Sequence, residues 1–145
     1  MVKYLQVHSE DRAIGKRAIH SLISALKLEF KLSISFLSIS FISSKELRAI
    51  NKKYLKHDFN TDIITFNYSM RVNEIDGEIL ISFEEARLNA KKYKTNYSKE
   101  ISRLVVHGIL HLLNFEDNNK KNKAIMKQME KKLINRYNFT LLVGK

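Results

Sequence analysis

Hydrophobic and polar positions along the chain follow two periods, and the switches between them predict the element order. The run "VKYLQVH" (2–8) alternates and is rich in β-formers, so it predicts a first strand. Over 11–30 the period changes. Ile14, Ala18, Ile19, Leu22, Ile23 and Leu26 recur at helical spacing and predict an amphipathic helix. His20 falls beside polar neighbours in it, which points to a surface position rather than a ligand. Strict alternation returns in "LSISFLSISFI" (32–42), with a phase slip between Phe36 and Leu37. A bulged strand, or an irregular entry followed by a strand, satisfies that slip. Ser43 and Glu46 stand at capping-box spacing and open a short helix over 43–55. "TDIITFNY" (61–68) and "GEILIS" (77–82) read as strands that can pair as neighbours.

Helical spacing then takes over. The segment 83–93 begins with acids and ends with lysines, matching the helix dipole. The segment 98–113 is the most apolar and therefore the central helix. A last amphipathic helix over 121–137 turns Ile125, Met129 and Leu133 inward, and Met126 and Met129 read as core residues. Strands and helices in this order predict an α/β (α+β) fold, with about five helices packed on a small mixed four-stranded sheet. The 145 residues contain no Pro, four Gly and no low-complexity linker, so one domain over 1–145 is expected.

Composition narrows the chemistry. Cysteine is absent, so a metal can be held only by His, Asp or Glu. No basic segment followed by an apolar run succeeds Met1, and the apolar stretches are too short to span a membrane. A soluble, cytoplasmic protein without a membrane partner is the expectation. The net charge of +11, with lysines recurring in "NKKYLKHD", "NAKKYKTNYSK" and "NNKKNKAIMKQMEKK", favours a polyanionic partner, nucleic acid first.

The central helix carries the candidate chemistry, in "LVVHGILHLLNFED" (104–117). His107 and His111 are four residues apart, one above the other on a helix, so their imidazoles can meet a common ion. That face supplies no third ligand. Asn114 tolerates the left-handed conformation that ends helices, after which the chain can fold back to present Glu116 or Asp117. A zinc peptidase helix would carry a glutamate after the first histidine as its proton acceptor, whereas this chain has Gly108. Glycine cannot take a proton, but it lets another element approach closely.

The stretch "HGILHLLNFED" resembles the signature H-G-x-L-H-L-x-G-Y-D-H of the YbeY family, matching at His107, Gly108, Leu110, His111 and Leu112. Upstream, "INKKYLKHDFNTDIITFNY" (50–68) is similar to the family's L-N-x-x-Y-R-x-x-D-x-P-T-D-V-L-S-F through Asn51, Tyr54, Asp58, Thr61, Asp62 and Phe66. "GEILIS" resembles its G-D-I-V-I-S strand. The resemblance spans roughly residues 46–125. It implies a zinc-hydrolase-like metal site on the central helix and a metal-dependent endoribonuclease of rRNA maturation, acting on single-stranded RNA. His107, His111 and Asp117 would hold one Zn²⁺ or another divalent ion, with His107 and His111 as the catalytic pair. Lys53, Lys56, His57, Lys92 and Lys94 would bind RNA, and Thr61, Asp62 and Glu116 would support the site edge.

Two departures bear on this. Asp117 replaces the family's third histidine, giving a harder oxygen ligand that admits metals besides zinc. Leu55 stands where the family has an arginine, leaving Lys56 or His57 to meet a phosphate as point charges. The alternative is a ribosome- or RNA-binding factor with a structural metal and no cleavage activity.

Overall fold

The computed structural model describes residues 1–57 and 60–143. Alternation becomes sheet where one side of each strand finds a core. Strand β1 (Leu5–Ser9) buries Leu5 and Val7 and pairs in parallel with β2 (Ser33–Ile42). Strand β4 (Glu74–Ser82) lies parallel to β2 on its other edge, and β3 (Ile63–Asn67) pairs antiparallel with β4. The order is β1-β2-β4-β3, so the two segments predicted to be neighbours are neighbours. The slip in β2 falls at Ser35, one residue before the predicted position, where register shifts between Ile34 and Phe36. The extra residue keeps Leu32 and Ile34, as well as Leu37, Ile39 and Phe41, against one core.

Among the described residues five helices surround the sheet: α1 (Lys16–Phe30), α2 (Ser44–Leu55), α3 (Phe83–Lys92), α4 (Tyr97–Leu112) and α5 (Lys120–Arg136). Helix α1 starts five residues later than periodicity alone predicts. Asp11 instead folds the chain into a turn, its Oδ1 accepting the Ala13 amide at 2.9 Å. Its Oδ2 accepts from Tyr97 at 2.6 Å and from Arg87 at 2.7 Å, tying this turn to α3 and α4. His20 is buried rather than at the surface, and its Nδ1 accepts the Val2 amide at 3.2 Å. Burial lowers its pKa, favouring the neutral ring that can accept this bond.

Leu22, Ile23 and Leu26 of α1, the odd-numbered apolar positions of β2 and β4, and Leu104, Val105 and Ile109 of α4 form one cluster. Leu47 of α2 and Ile64 of β3 are buried outside that cluster, and Tyr54 packs edge-on against Phe66. Because residues alternate faces along a strand, α2 therefore covers the reverse of the β3–β4 edge. Helix α4 sits close on the sheet at Gly108. A Cβ there would lie 2.8 Å from the Ile79 side chain, a distance no packed carbon pair tolerates. Gly108 is thus a packing requirement of α4 on β4.

Helix α5 is rotated from its predicted phase. Ile125 is exposed, and the inward face runs through Met126, Glu130 and Leu133. The buried acid among them has a partner across the α4–α5 interface.

Candidate metal centre

Helix α4 begins at Asn96, whose side chain accepts the Lys99 amide at 2.8 Å, and its apolar residues bury it against the sheet. With one face fixed, His107 and His111 emerge one turn apart on the other side, their Nε2 atoms 3.0 Å apart. The helix stops as its sequence allows. Asn114 adopts φ of 69°, its amide donates to the His111 carbonyl at 2.9 Å, and the Phe115 amide donates to the Leu110 carbonyl at 3.0 Å. These two bonds are those of the Schellman motif, and Phe115 seals it by packing on the core. The reversal carries Asp117 back over the histidines. Its Oδ2 lies 3.5 Å from His111 Nε2 and 3.7 Å from His107 Nε2.

These three residues can hold a metal ion, one ligand atom from each. Ligands about 2.1 Å from a tetrahedral Zn²⁺ stand about 3.4 Å apart, close to the three separations present here. The surroundings fit as well. Glu130 Oε2 lies 2.5 Å from His107 Nδ1. A carboxylate in that position keeps the ring proton on Nδ1 and leaves the Nε2 lone pair aimed at the ion.

Behind Glu130 lies a charged network. Glu100 is almost fully buried and is matched by Arg103, whose Nε and Nη2 donate to its two oxygens at 2.9 and 2.8 Å. Arg103 Nη1 is 3.6 Å from Glu130, and its Nη2 is 3.7 Å from Asp62. Asn89 bridges Asp62 and Glu100 with bonds of 3.0 and 3.1 Å. The hydrogen bonds to Glu100 hold the Arg103 guanidinium above its ordinary pKa, against the opposing effect of burial. Each buried charge therefore has a partner of opposite sign.

The structure thus brings together His107, His111 and Asp117, and links Asp62 to them through Arg103 and Glu130. Thr61 donates to the Ile63 carbonyl at 3.3 Å at the entry to β3, while Glu116 is exposed. Asp58 lies outside the described residues. Beside the centre, between α4 and α5, is a cleft of about 590 Å³ lined by His107, Asp117, Arg103, Tyr93 and residues of α5. Among the described residues, Lys53, Lys56, His57, Lys92 and Lys94 are not in that lining. Glu130 and Arg103 escaped the sequence reading. Arg103 was detectable in principle, since 103, 107 and 111 form an i, i+4 ladder. Glu130 was not, because its role depends on the rotation of a separate helix.

A mixed sheet beneath a helix whose paired histidines converge with a carboxylate from the next turn defines a metal-hydrolase type of centre. The chain belongs to the endoribonuclease YbeY family, whose model matches residues 3–138. The curated Endoribonuclease YbeY of Parabacteroides distasonis is 35% identical over 122 residues, covering 84% of this chain and 85% of its own length. Its counterpart from Azobacteroides pseudotrichonymphae is 32% identical over 133 residues, covering 92% of this chain and 95% of its own length. The solution structure of TM1509 from Thermotoga maritima shares the fold, with a TM-score of 0.62 at 23% identity. That alignment covers 92% of this chain and 91% of the other.

Proposed function

We propose that this chain is a metal-dependent endoribonuclease of the cytoplasm that cuts single-stranded RNA in rRNA maturation and ribosome quality control. Residues 1–145 would act as one domain, with His107, His111 and Asp117 holding one Zn²⁺. The observation carrying this reading is the convergence of His107 Nε2, His111 Nε2 and Asp117 Oδ2 with Glu130 behind His107. When bound, a divalent ion supplies Lewis-acid stabilisation of charge on a phosphoryl oxygen and acidifies water. The chain does the rest. Glu130 orients His107, and Arg103 keeps Glu130 from standing as an uncompensated buried charge. Asp62 anchors Arg103 from the β3 side, and exposed Lys53, Lys56, His57, Lys92 and Lys94 draw the polyanion toward the molecule. Gly108 offers no peptidase-type proton acceptor, which argues against peptide hydrolysis.

The test is metal content together with cleavage. Wild type should carry about one divalent ion per chain and cut a single-stranded RNA. His111→Ala and Asp117→Ala should lose both, as should chelated wild type. Cleavage that survives complete metal removal would overturn the assignment.

Leu55 favours a second reading, a non-catalytic ribosome-binding factor. This half-exposed side chain at the end of α2 has no group to contact a phosphate. RNA binding without cleavage under every divalent metal would select that reading.

A further inference from the structure

One face of α5 makes a second chemical feature of the cleft beside the metal centre. Lys123, Lys127 and Lys131 all line it, all exposed, at i, i+4 and i+8. A helix rises 1.5 Å per residue, so the ammonium groups follow one another about 6 Å apart over about 12 Å. Like charges at this spacing weaken a helix rather than support it. Among the described residues no carboxylate pairs with any of the three, although acids elsewhere on the molecule are paired with arginines. The ladder thus projects positive charge that no described carboxylate pairs with into a cleft that His107 and Asp117 also line.

Part of the remaining lining suits a base rather than a phosphate. Met126 and Ile134 give an apolar floor, and Tyr93, at the end of α3, stands at the rim with 61% of its surface exposed. Lys92 Nζ lies 5.4 Å from the Tyr93 ring centroid. An exposed aromatic beside a row of cations is the combination by which proteins hold single-stranded nucleic acid, with bases stacked and backbone neutralised.

We propose that this cleft is the track for the RNA strand. Lys123, Lys127 and Lys131 neutralise successive phosphates, Tyr93 stacks a base, and the strand is thereby led to the metal ligands. The proposal rests on the reading of the chain as an RNA-acting protein and adds the residues that grip the substrate.

The experiment uses the full chain and a fluorescently labelled single-stranded RNA, titrated at several salt concentrations. The triple variant Lys123→Gln, Lys127→Gln, Lys131→Gln is compared with Lys3→Gln, Lys16→Gln, Lys27→Gln, which removes the same charge elsewhere. Each phosphate contact on a single strand contributes about 0.7 to the slope of log affinity against log salt, so the ladder variant should flatten it by about 2. The control triple should leave the slope nearly unchanged. Tyr93→Ala should weaken binding by roughly five- to a hundredfold. Metal content of the ladder variant should equal that of wild type, since its ligands are untouched. An unchanged slope in the ladder variant, equal losses in both triples, or equally tight binding of a matched duplex would each overturn the proposal. The two readings fail separately. Wild type that binds through the ladder but cuts nothing removes the nuclease and keeps the track. Wild type that cuts RNA with KM unaltered in the ladder variant removes the track and keeps the nuclease.

Discussion

Glu130 is the residue on which the geometry of His107 turns. It is buried, yet its charge lies between an imidazole N–H and a guanidinium, so its burial is offset at both oxygens. Outer carboxylates of this kind typically change metal affinity by ~10–100-fold. Glu130→Gln should therefore weaken metal binding by that factor, as read by competition with a coloured chelator, with thermal stability of the metal-free protein much less affected. Equal metal affinity in variant and wild type would show that the contact is only structural. The histidines were legible in the sequence because a helix imposes their juxtaposition from spacing alone. Asp117 was legible once Asn114 marked a turn. Ile125 was placed inward and Glu130 went unread, because an apolar count around α5 favours a rotation that leaves the acid outside. Pairing of Glu130 with His107 and Arg103 makes the observed rotation affordable.

Helix α4 shows how a helix end can build half of a site. Its last turn closes through the Schellman bonds at Asn114 and Phe115, and the direction of that closure aims Asp117. A β-branched residue in the left-handed region costs about 1–2 kcal/mol, whereas glycine costs nothing sterically. Asn114→Val should lower unfolding free energy by that amount and also loosen metal binding, while Asn114→Gly should leave both near wild type. Denaturant titration and metal competition on the same samples check the two effects together. Long periodic elements were recovered well from sequence: α2 with its Ser43 cap, α4, and the β3–β4 pair. The start of α1 was not. Residues 11–15 have helical spacing, but Asp11 is claimed by Tyr97 and Arg87, partners more than seventy residues away that no local pattern contains.

At the scale of the molecule, Asp11 joins the end of β1 to α3 and α4. Burial alone would raise its pKa. Hydrogen bonds from Tyr97, the Ala13 amide and Arg87 outweigh this and hold it below the ordinary aspartate value. The sign follows. A carboxyl depressed in the folded state binds its proton more readily when unfolded, so its contribution is present at neutral pH and lost as pH falls through the folded value. Asp11→Asn should therefore be less stable than wild type at pH 7, and the gap should close in strongly acidic solution. Melting curves across that range test it, and a gap independent of pH would exclude the electrostatic account. The overall charge was legible as a preference for polyanions, but lysine-rich runs cannot say which lysines share a wall with the metal centre. That needs the packing of α5 against α4.

Because α5 presents Glu130 to His107 and the lysine ladder to the adjoining cleft, one element contacts both a side chain that would hold the metal and the proposed RNA track. The two bindings then form a thermodynamic cycle, in which any factor by which the cation tightens RNA must equal the factor by which RNA tightens the cation. A factor above one would make scarcity of the metal read out as weaker RNA affinity, and a factor of one would leave the two bindings independent.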